Sequence, residues 1–343
     1  MKIAVLTGGG DCSGLNAAIR AVVRRAVSLR DDVYGIRHGW KGLLENDVIR
    51  LTVDGTSNIL PLGGTILGSS RVNPFKVKNG LKRCLKNFKQ RRFDALVFIG
   101  GEGTLNVAAA LSKAGIPVFG IPKTIDNDAQ GTDYTIGFDT AVQIATNAID
   151  RLHTTAESHQ RVMIIEVMGR HAGWIAAYAG IAGGADAVLI PEKVFPMKTL
   201  CSIIGKRARR GCNFSIVVVA EDAQIKLENG QILRTPLSRD EYGDVKLGGI
   251  GELLASEIRK RMDSEVRVTV LGHIQRGGTP TAFDRVLATR LGAHAVESLH
   301  RREFGRMAVI RGDKITSLPI KKMAGRVKKV DPAFYETVRL FLE

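Results

Sequence analysis

The stretch Lys2-Ile-Ala-Val-Leu-Thr-Gly-Gly-Gly-Asp11 begins with a short, mostly apolar run and ends in three glycines and an aspartate. A continuous apolar run of this length predicts a strand that is buried on both faces. The glycines predict a turn, and a helical pattern begins a few residues later, near Asn16. This order of strand, glycine turn and helix is the repeating unit of open, parallel α/β sheets.

The same alternation continues along most of the 343 residues. It predicts an α/β fold with two Rossmann-like lobes and mostly parallel sheets, divided near Gly137, where a glycine-dense segment gives way to a long helix. The apolar runs that predict strands are Lys2–Thr7, Ala95–Ile99, Val118–Ile121, Val162–Val167, Ala187–Ile190, Ile216–Ala220 and Val266–Leu271. The longer patterns that predict helices are Asn16–Ser28, Leu105–Lys113, Ala141–Glu157 and Gly251–Met262.

Charge and composition restrict the possible functions. Fifty Lys and Arg against 34 Asp and Glu give a net charge of +16, which favours anionic partners, either nucleic acid or phosphorylated small molecules. Aromatic residues make up only 6%, and the basic runs 206–210 and 321–329 contain none, so solvated helix faces explain these runs better. No apolar run approaches the ~20 residues of a membrane helix. The four cysteines form no CxxC pair. We therefore expect a cytoplasmic protein that binds neither nucleic acid nor a membrane.

Two glycine clusters directly follow predicted strands: Gly8–Gly10, and Gly100-Gly-Glu-Gly-Thr104. In open parallel sheets, ligands bind beyond the carboxyl ends of strands, where helix N-termini present unsatisfied N–H groups. Neither cluster is a GxGxxG fingerprint or a P-loop, and each alone is as consistent with a plain turn. Together they indicate a polyphosphate that lies across neighbouring strand ends.

A third loop, Pro122-Lys-Thr-Ile-Asp-Asn-Asp128, places two carboxylates at a strand end. Carboxylates beside phosphate loops would repel the ligand unless they bind a metal or take a proton. Several arginines lie beside glycines or at strand ends, where guanidinium groups can bind phosphate oxygens bidentately. These arginines are Arg71, Arg161, Arg170, Arg267 and Arg276.

In order along nearly the whole chain, six motifs resemble those of the 6-phosphofructokinase family. They are Thr7-Gly-Gly-Gly-Asp-Cys-Ser-Gly-Leu-Asn16, Gly100-Gly-Glu-Gly-Thr104, Pro122-Lys-Thr-Ile-Asp-Asn-Asp128, Gly137-Phe-Asp-Thr-Ala141, Met168-Gly-Arg-His-Ala-Gly173 and Gly272-His-Ile-Gln-Arg-Gly-Gly278. The resemblance implies a phosphofructokinase-type fold. Residues 1–137, with a return at roughly 275–325, would form the phosphoryl-donor lobe. Residues 138–274, with roughly 326–343, would form the sugar-phosphate lobe.

The resemblance also implies transfer of the γ-phosphoryl of MgATP to the 1-hydroxyl of fructose 6-phosphate, a step of glycolysis, with Mg²⁺ held by Glu102. Asp126 would take the hydroxyl proton, while Thr124, Arg71 and Arg170 steady the transferring charge. The nucleotide would contact Gly10, Arg71, Val72, Glu102, Gly103 and Thr104. The sugar phosphate would contact Thr124, Ile125, Asp126, Arg161, Met168, Gly169, Arg170, Glu221, Arg267, His273, Ile274, Gln275 and Arg276. Equivalents of Arg161 and Arg267 reach in from a neighbouring subunit in the family, so we expect a homotetramer with shared sites.

Two positions bear on the choice of phosphoryl donor. Family members that use pyrophosphate resemble this chain in having lysine at the position of Lys123. Those enzymes also have aspartate where Gly103 stands, and its carboxylate would repel and displace the α-phosphate of ATP. An aspartate at position 103 would exclude ATP, whereas Lys123 is compatible with it. Because this chain has glycine at position 103, we predict ATP as the donor. The alternative is a pyrophosphate-dependent fructose 6-phosphate 1-phosphotransferase.

Some positions depart from the family pattern. The family more often has aspartate where Glu102 stands, and proline where Ser13 stands, which we expect to loosen the first glycine loop. Arg20 and Arg24 match effector-site cations. Other basic effector positions are replaced by Val53, Cys212 and Asn213, which leaves allosteric control by ADP or phosphoenolpyruvate open.

Two other classes of protein would share part of this pattern. A nucleic-acid-binding α/β protein would explain the +16 charge but leaves Asp126 and Asp128 without a role. A kinase resembling diacylglycerol or NAD kinases would share a GGDGT-type loop with Gly100–Thr104. The loops Pro122–Asp128 and Gly272–Gly278 favour the sugar-phosphate enzyme.

Overall fold

The computed structural model describes residues 1–235, 238–239 and 245–341. Its strands in chain order are β1 (Lys2–Gly8), β2 (Asp32–Ile36), β3 (Val48–Leu51), β4 (Ala95–Gly100), β5 (Val118–Pro122), β6 (Val162–Val167), β7 (Ala187–Leu189), β8 (Phe195–Pro196), β9 (Ser215–Ala220), β10 (Ile225–Lys226), β11 (Ile232–Leu233), β12 (Ser238–Arg239), β13 (Val245–Lys246), β14 (Val266–Val270), β15 (Arg306–Arg311) and β16 (Lys314–Pro319).

The α-helices in chain order are α1 (Leu15–Ser28), α2 (Trp40–Glu45), α3 (Gly80–Gln90), α4 (Glu102–Lys113), α5 (Phe138–His159), α6 (Trp174–Ala182), α7 (Met197–Arg209), α8 (Ile250–Arg259), α9 (Ala282–His300) and α10 (Pro332–Leu340). A short 3₁₀ helix spans Gly272–Arg276. No helix within the described ranges is long and apolar enough to cross a membrane.

The chain divides into two compact units. The first unit comprises Met1–Ile125, Ala129–Thr140 and Arg276–Arg326, and the second comprises Asp126–Asp128, Ala141–Gln275 and Val327–Glu343. Residues 342 and 343, at the end of the predicted second lobe, lie outside the described part of the chain. The roles assigned to the two lobes remain predictions.

The first unit is built on a seven-stranded sheet in the order β16-β15-β5-β4-β1-β2-β3. Strands β2, β1, β4, β5 and β15 run parallel, and antiparallel β3 and β16 close the two edges. The pairs Gly8 with Gly100 and Gly100 with Pro122 bring three carboxyl ends into register. Buried side chains such as Leu6, Phe98 and Phe119 fill the core around these strands. The loops that follow β1, β4 and β5 therefore emerge side by side.

The second unit contains a wholly parallel sheet in the order β14-β6-β9-β7. Every residue of β6 and β9 is buried, as expected for strands that are covered on both faces. Because the strands are parallel, the loops that follow β6, β9 and β14 leave the sheet at one edge. The residues that precede these strands lie at the opposite edge.

The α/β fold predicted from the sequence is confirmed. The predicted strands correspond to β1, β4, β5, β6, β7, β9 and β14, and the predicted helices to α1, α4, α5 and α8, with ends that shift by a few residues. The sequence prediction missed β2, β3 and β16, in which polar and apolar residues are mixed rather than continuous, and it also missed β15. Of these strands, β3 and β16 lie at the two edges of the sheet. Half-exposed edge strands do not need continuous apolar runs.

Candidate functional site

The first glycine loop, Gly8–Gly10, is held by a buried lysine. The Lys123 ammonium donates hydrogen bonds to the carbonyl oxygens of Gly8, at 3.0 Å, and Gly10. Only 3% of Lys123 is exposed, so a cation is fixed beneath this loop. Gly9 has φ +78°, a conformation that strongly favours glycine.

The side chain of Thr104 explains two of the glycines. A Cβ atom added at Gly8 or Gly100 would lie 2.5 Å from the Thr104 side chain, which packs across both strand ends. Glycine at these two positions is therefore required by packing inside the protein. Gly103 differs, because a Cβ atom there would meet nothing within 4 Å. The open space beside the second glycine loop, Gly100–Thr104, lies at Gly103.

Two helices of the first unit begin at these glycine loops without a side-chain cap. Gly14 precedes α1, whose first turn has no acidic residue, and Gly101 precedes α4, whose first turn carries Glu102. Helix N-termini attract anions because their first N–H groups lack partners within the helix. The start of α1 and the start of α4 are therefore both suited to binding phosphate.

In the second unit, comparable helix starts bind carboxylates of the protein itself. The two Glu166 oxygens accept the N–H groups of Gly249 and Gly251, each at 2.8 Å, at the start of α8. Glu192 similarly accepts the N–H of Gly173 at the start of α6. These internal carboxylates satisfy the N–H groups that an external anion would otherwise bind.

The segment Gly63–Val72, which carries Arg71, is bound to the first glycine loop. The Asn16 amide donates to the carbonyl oxygens of Leu62 and Gly63, each at 3.1 Å, and its oxygen accepts the N–H of Ile66 at 2.8 Å. The Ser69 hydroxyl donates to the Gly9 carbonyl oxygen. Arg71 is thus carried on a segment that hydrogen bonds fix to the start of α1 and to the first glycine loop.

The loop after the 3₁₀ helix also meets the first glycine loop. A Cβ atom at Gly10 would lie 2.5 Å from Arg276 Nη1, so the guanidinium group lies directly over Gly10. The Ser13 hydroxyl lies 2.9 Å from the Gly277 carbonyl oxygen and 2.7 Å from that of Gly278. Serine at this position therefore adds an anchor to the loop, whereas the sequence led us to expect a looser one.

The thiol of Cys12, two residues after the first glycine loop, is buried and unreactive. Burial raises its pKa to about 12, and its Sγ donates a hydrogen bond to the Ile136 carbonyl oxygen at 3.5 Å. A protonated, fully buried thiol is a poor nucleophile. The groups of the loop that could bind an anion are its N–H groups and the cations around it.

In the second unit, Glu221 follows β9 and holds the loop that follows β6. Its carboxylate accepts the Arg170 N–H at 2.9 Å, and Arg170 itself has φ +51°. Burial raises the pKa of Glu221 to about 7; the N–H groups of Arg170 and Gly169 lower it, while the charge of Asp126 raises it. Asp126 therefore lies within electrostatic range of Glu221, and both carboxylates are buried.

Arg161 and Arg267 lie at the amino ends of the strands of the same sheet, opposite to the carboxyl ends that Glu221 and Arg170 follow. Arg161 precedes β6 and Arg267 is near the start of β14, while Met168–Arg170 and Glu221 follow the carboxyl ends of β6 and β9. With a rise of about 3.3 Å per residue, the length of β6 separates the two groups by roughly 20 Å. Within the second unit, these arginines do not join Glu221 and Met168–Arg170.

The predicted site residues therefore fall into three groups. Those that belong to the first unit are Gly10, Arg71, Val72, Glu102, Gly103, Thr104, Lys123, Thr124, Ile125 and Arg276. The second group belongs to the second unit and lies apart from Arg161 and Arg267. It consists of Asp126, Met168, Gly169, Arg170, Glu221, His273, Ile274 and Gln275. The third group is Arg161 and Arg267.

Among the described residues, no group of three or more His, Cys, Asp or Glu gathers as a metal site. Mg²⁺ does not require such a cluster, because it commonly keeps several waters and binds through one or two carboxylates together with substrate phosphates. Glu102 offers an exposed carboxylate at the start of α4, beside the open space at Gly103. This oxygen donor fits a Mg²⁺ ion that arrives with a phosphate ligand.

The sequence prediction overlooked the residues that hold the site together. Asn16 and Ser13 stand within a recognised motif, but their partners lie 46 to 265 residues away. Glu265 contacts both Arg161 and Arg267 and was not singled out. Its only signal in the sequence is its position two residues before Arg267.

Parallel strands that end in glycine loops, two uncapped helix starts, a buried lysine and several arginines are typical of the α/β proteins that bind phosphate groups. The family model described as "Phosphofructokinase" matches residues 2–299. A pyrophosphate–fructose 6-phosphate 1-phosphotransferase of Streptomyces coelicolor is 54% identical over 343 residues, with 99% of each chain covered. An ATP-dependent 6-phosphofructokinase 3 of the same organism is 52% identical over 336 residues, with 98% of each covered.

A solved structure of phosphofructokinase from Saccharomyces cerevisiae is similar with a TM-score of 0.80 and 33% identity. The match covers 94% of this chain and 45% of the yeast chain, so this chain spans less than half the length of that relative. The chain belongs to the phosphofructokinase family, as the sequence motifs indicated, and it is a phosphotransferase. Because the two Streptomyces relatives carry names with different donors, overall identity leaves the donor open.

Proposed function

We propose that this phosphofructokinase transfers the γ-phosphoryl of MgATP to the 1-hydroxyl of fructose 6-phosphate, giving fructose 1,6-bisphosphate and ADP in glycolysis in the cytoplasm. The observation that carries the choice of ATP is the open space at Gly103. This residue lies in the first turn of α4, where its N–H contributes to the positive end of the helix dipole. A nucleotide phosphate can approach there without meeting a side chain.

The donor residues of the proposal lie around the glycine loops. Lys123 fixes the carbonyl groups of the first loop and keeps a positive charge beneath it, and Arg276 covers Gly10. Arg71 supplies a further guanidinium, and Val72 and Thr104 complete the donor contacts. Glu102 would hold Mg²⁺, which neutralises phosphate charge when bound. Phosphoryl transfer requires alignment and charge neutralisation more than covalent chemistry, and these groups supply both.

The acceptor residues lie mainly in the second unit. Asp126 takes the proton of the sugar 1-hydroxyl as that oxygen attacks, with Thr124 and Arg170 beside the transferring group. Glu221 orients Met168–Arg170 through backbone N–H groups and accepts hydrogen bonds from sugar hydroxyls. The residues that hold the sugar phosphate include Ile125 and those of the 3₁₀ helix, His273, Ile274, Gln275 and Arg276.

In the proposed homotetramer, Arg161 and Arg267 bind the 6-phosphate of the sugar substrate that is held at a neighbouring subunit. Their position at the opposite edge of the second sheet, roughly 20 Å from Met168–Arg170, supports this assignment. The two guanidinium groups lie too far from the residues at the carboxyl ends of their own sheet to share a site with them. They can instead bind a substrate held by another copy of the chain.

The second candidate donor is pyrophosphate, which one observation favours. Lys123 is buried and is fixed at the first glycine loop, and a fixed cation close to a small, highly charged donor would bind it strongly. Relatives named as pyrophosphate-dependent are 54% and 47% identical to this chain. We favour ATP because Lys123 attracts either donor, whereas glycine at position 103 removes the group that excludes ATP.

Substitutions at Gly103 test this choice. Gly103→Asp places a carboxylate where the proposal puts a nucleotide phosphate, and we expect kcat/KM for ATP to fall about 10²-fold through like-charge repulsion. Gly103→Asn is the matched control of nearly equal volume without the charge, and Gly103→Ala controls for the added Cβ. Both controls should retain most of the ATP activity. Equal losses in the Asp and Asn variants would remove the electrostatic argument, and an unchanged Asp variant would remove ATP from this site.

A further inference from the structure

Glu265 contacts both of the arginines that lie apart from the rest of the site. Arg161 Nε lies 2.8 Å from one Glu265 carboxylate oxygen, and the Arg267 guanidinium donates a hydrogen bond to the other. The Val162 N–H also donates to the Glu265 carbonyl oxygen at 2.9 Å, which fixes this residue beside the start of β6. One carboxylate therefore bridges two guanidinium groups, one directly before β6 and one on the neighbouring strand β14.

This bridge leaves an excess of positive charge. Two guanidinium groups against one carboxylate give a net charge of +1, and the side chains of Arg161, Glu265 and Arg267 are 24%, 44% and 56% exposed. The ion pair with Arg161 lowers the pKa of Glu265, so its carboxylate is ionised at neutral pH. The cluster is therefore both accessible and ready to bind a phosphate dianion.

We propose that Glu265 is a positioning residue that orders Arg161 and Arg267 for the phosphate group of the sugar substrate. The inference rests on the proposed function, in which these two arginines bind that phosphate. Glu265 itself does not contact the substrate. It offsets the repulsion between two like charges and restricts the rotamers of two long side chains before the substrate arrives.

The expected consequence is a change in affinity rather than in stability. Exposed ion pairs contribute little to folding, so loss of the bridge should barely change the melting temperature. Ordering a long, flexible side chain on binding is costly, and preorganisation lowers this cost. A variant without the carboxylate must order both arginines when it binds the sugar phosphate, and it must also overcome their mutual repulsion.

The test is steady-state kinetics of Glu265→Gln in the full-length protein. We expect KM for fructose 6-phosphate to rise about tenfold while kcat and KM for the donor stay within about twofold, the pattern of lost ground-state binding. Glu265→Asp keeps the charge on a shorter side chain and should recover part of the affinity. Glu228→Gln is the matched control, because Glu228 is a similarly exposed glutamate of the same unit and forms an ion pair with Arg261.

A double-substitution background tests whether Glu265 acts through the arginines. In Arg161→Ala/Arg267→Ala protein, adding Glu265→Gln should leave KM for fructose 6-phosphate unchanged. A further increase in that background, or an unchanged or lower KM in the single variant, overturns the proposal. Failure of the proposed function is a different result, because wild-type protein would then turn over no fructose 6-phosphate with either donor.

Discussion

The side-chain ammonium of Lys123 lies 3.0 Å from the carbonyl oxygen of Gly8. It also donates to the carbonyl oxygen of Gly10, so one cation joins the end of β5 to both ends of the first glycine loop. Gly8–Gly10 is the loop at which we propose that phosphates of the donor bind. Lys123 therefore holds the loop in shape and also supplies positive charge.

Replacing Lys123 with Met should weaken binding of the phosphoryl donor. Two carbonyl groups lose a donor and the loop loses its fixed charge, so we expect KM for the donor to rise at least about tenfold while KM for fructose 6-phosphate changes little. Unpartnered buried carbonyls should also lower the melting temperature. Lys113→Met, at an exposed lysine at the end of α4, is the control. An unchanged KM for the donor would mean that Lys123 does not contribute to donor binding.

Replacing Asp126 with Ser should lower kcat by at least ~10²–10⁴, the usual contribution of a general base, with KM for both substrates nearly intact. We expect this loss because the Asp126 carboxylate is buried in the loop after β5, within electrostatic range of Glu221. Asp150→Ser, at an exposed position on α5, is the control for loss of a carboxylate. Full activity in the Asp126 variant would remove this residue from the proton transfer.

Mixed oligomers test whether Arg161 serves a neighbouring subunit. Arg161→Ala alone should mainly raise KM for fructose 6-phosphate. In mixtures with Asp126→Ser subunits, some sites would combine an intact Asp126 with an intact Arg161 from the other chain. Activity above that of either variant is therefore expected once subunits have exchanged. Verified hetero-oligomers without any recovery would mean that each chain builds its own site.

Asp284 should give stability a distinct pH dependence. Its buried carboxylate accepts the N–H groups of Gly137 and Thr140, each at 2.9 Å, and burial raises its pKa from 3.8 to about 6. The folded state thus binds this proton more tightly than the unfolded state does. Stability from this group is complete below about pH 4 and is lost as the pH rises through 6, a change of about 3 kcal/mol.

Asp284→Asn cannot titrate and should remove this change. Denaturant unfolding between pH 4 and pH 7 should show the wild type losing about 3 kcal/mol relative to the variant as the pH rises. The exposed substitution Asp150→Asn should track the wild type. The raised pKa would be contradicted if the free energy of unfolding of the wild type, relative to that of Asp284→Asn, stayed constant or increased as the pH rises.

Local patterns in the sequence were sufficient to predict much of the fold. Continuous apolar runs such as Val162–Val167 are buried on both faces whatever their neighbours are, so their conformation follows from composition. Glycines directly after strands led us to predict phosphate-binding loops, which stay a prediction, and the packing of Thr104 explains Gly8 and Gly100. Mixed edge strands such as β16 depend on their partner, and the sequence prediction missed them.

The contacts that shape the site could not be predicted from the sequence. Glu166 accepts the N–H of Gly249, 83 residues later, at the start of α8, and Asp284 accepts the N–H of Gly137, 147 residues earlier, at the start of α5. Such pairs form only when the topology brings distant segments together, and neither residue has a local pattern that indicates its role. Glu265 was missed for the same reason, since its two arginines meet only through the pairing of β14 with β6.

The most direct test of the central claim compares ATP and pyrophosphate as donors for the native protein. A coupled assay with fructose 6-phosphate at saturating Mg²⁺ should measure kcat/KM for each donor under identical conditions. We predict rapid turnover with ATP and little with pyrophosphate, because the open space at Gly103 admits a nucleotide phosphate. Faster turnover with pyrophosphate than with ATP would contradict this prediction and make the buried cation of Lys123 the better guide to the donor.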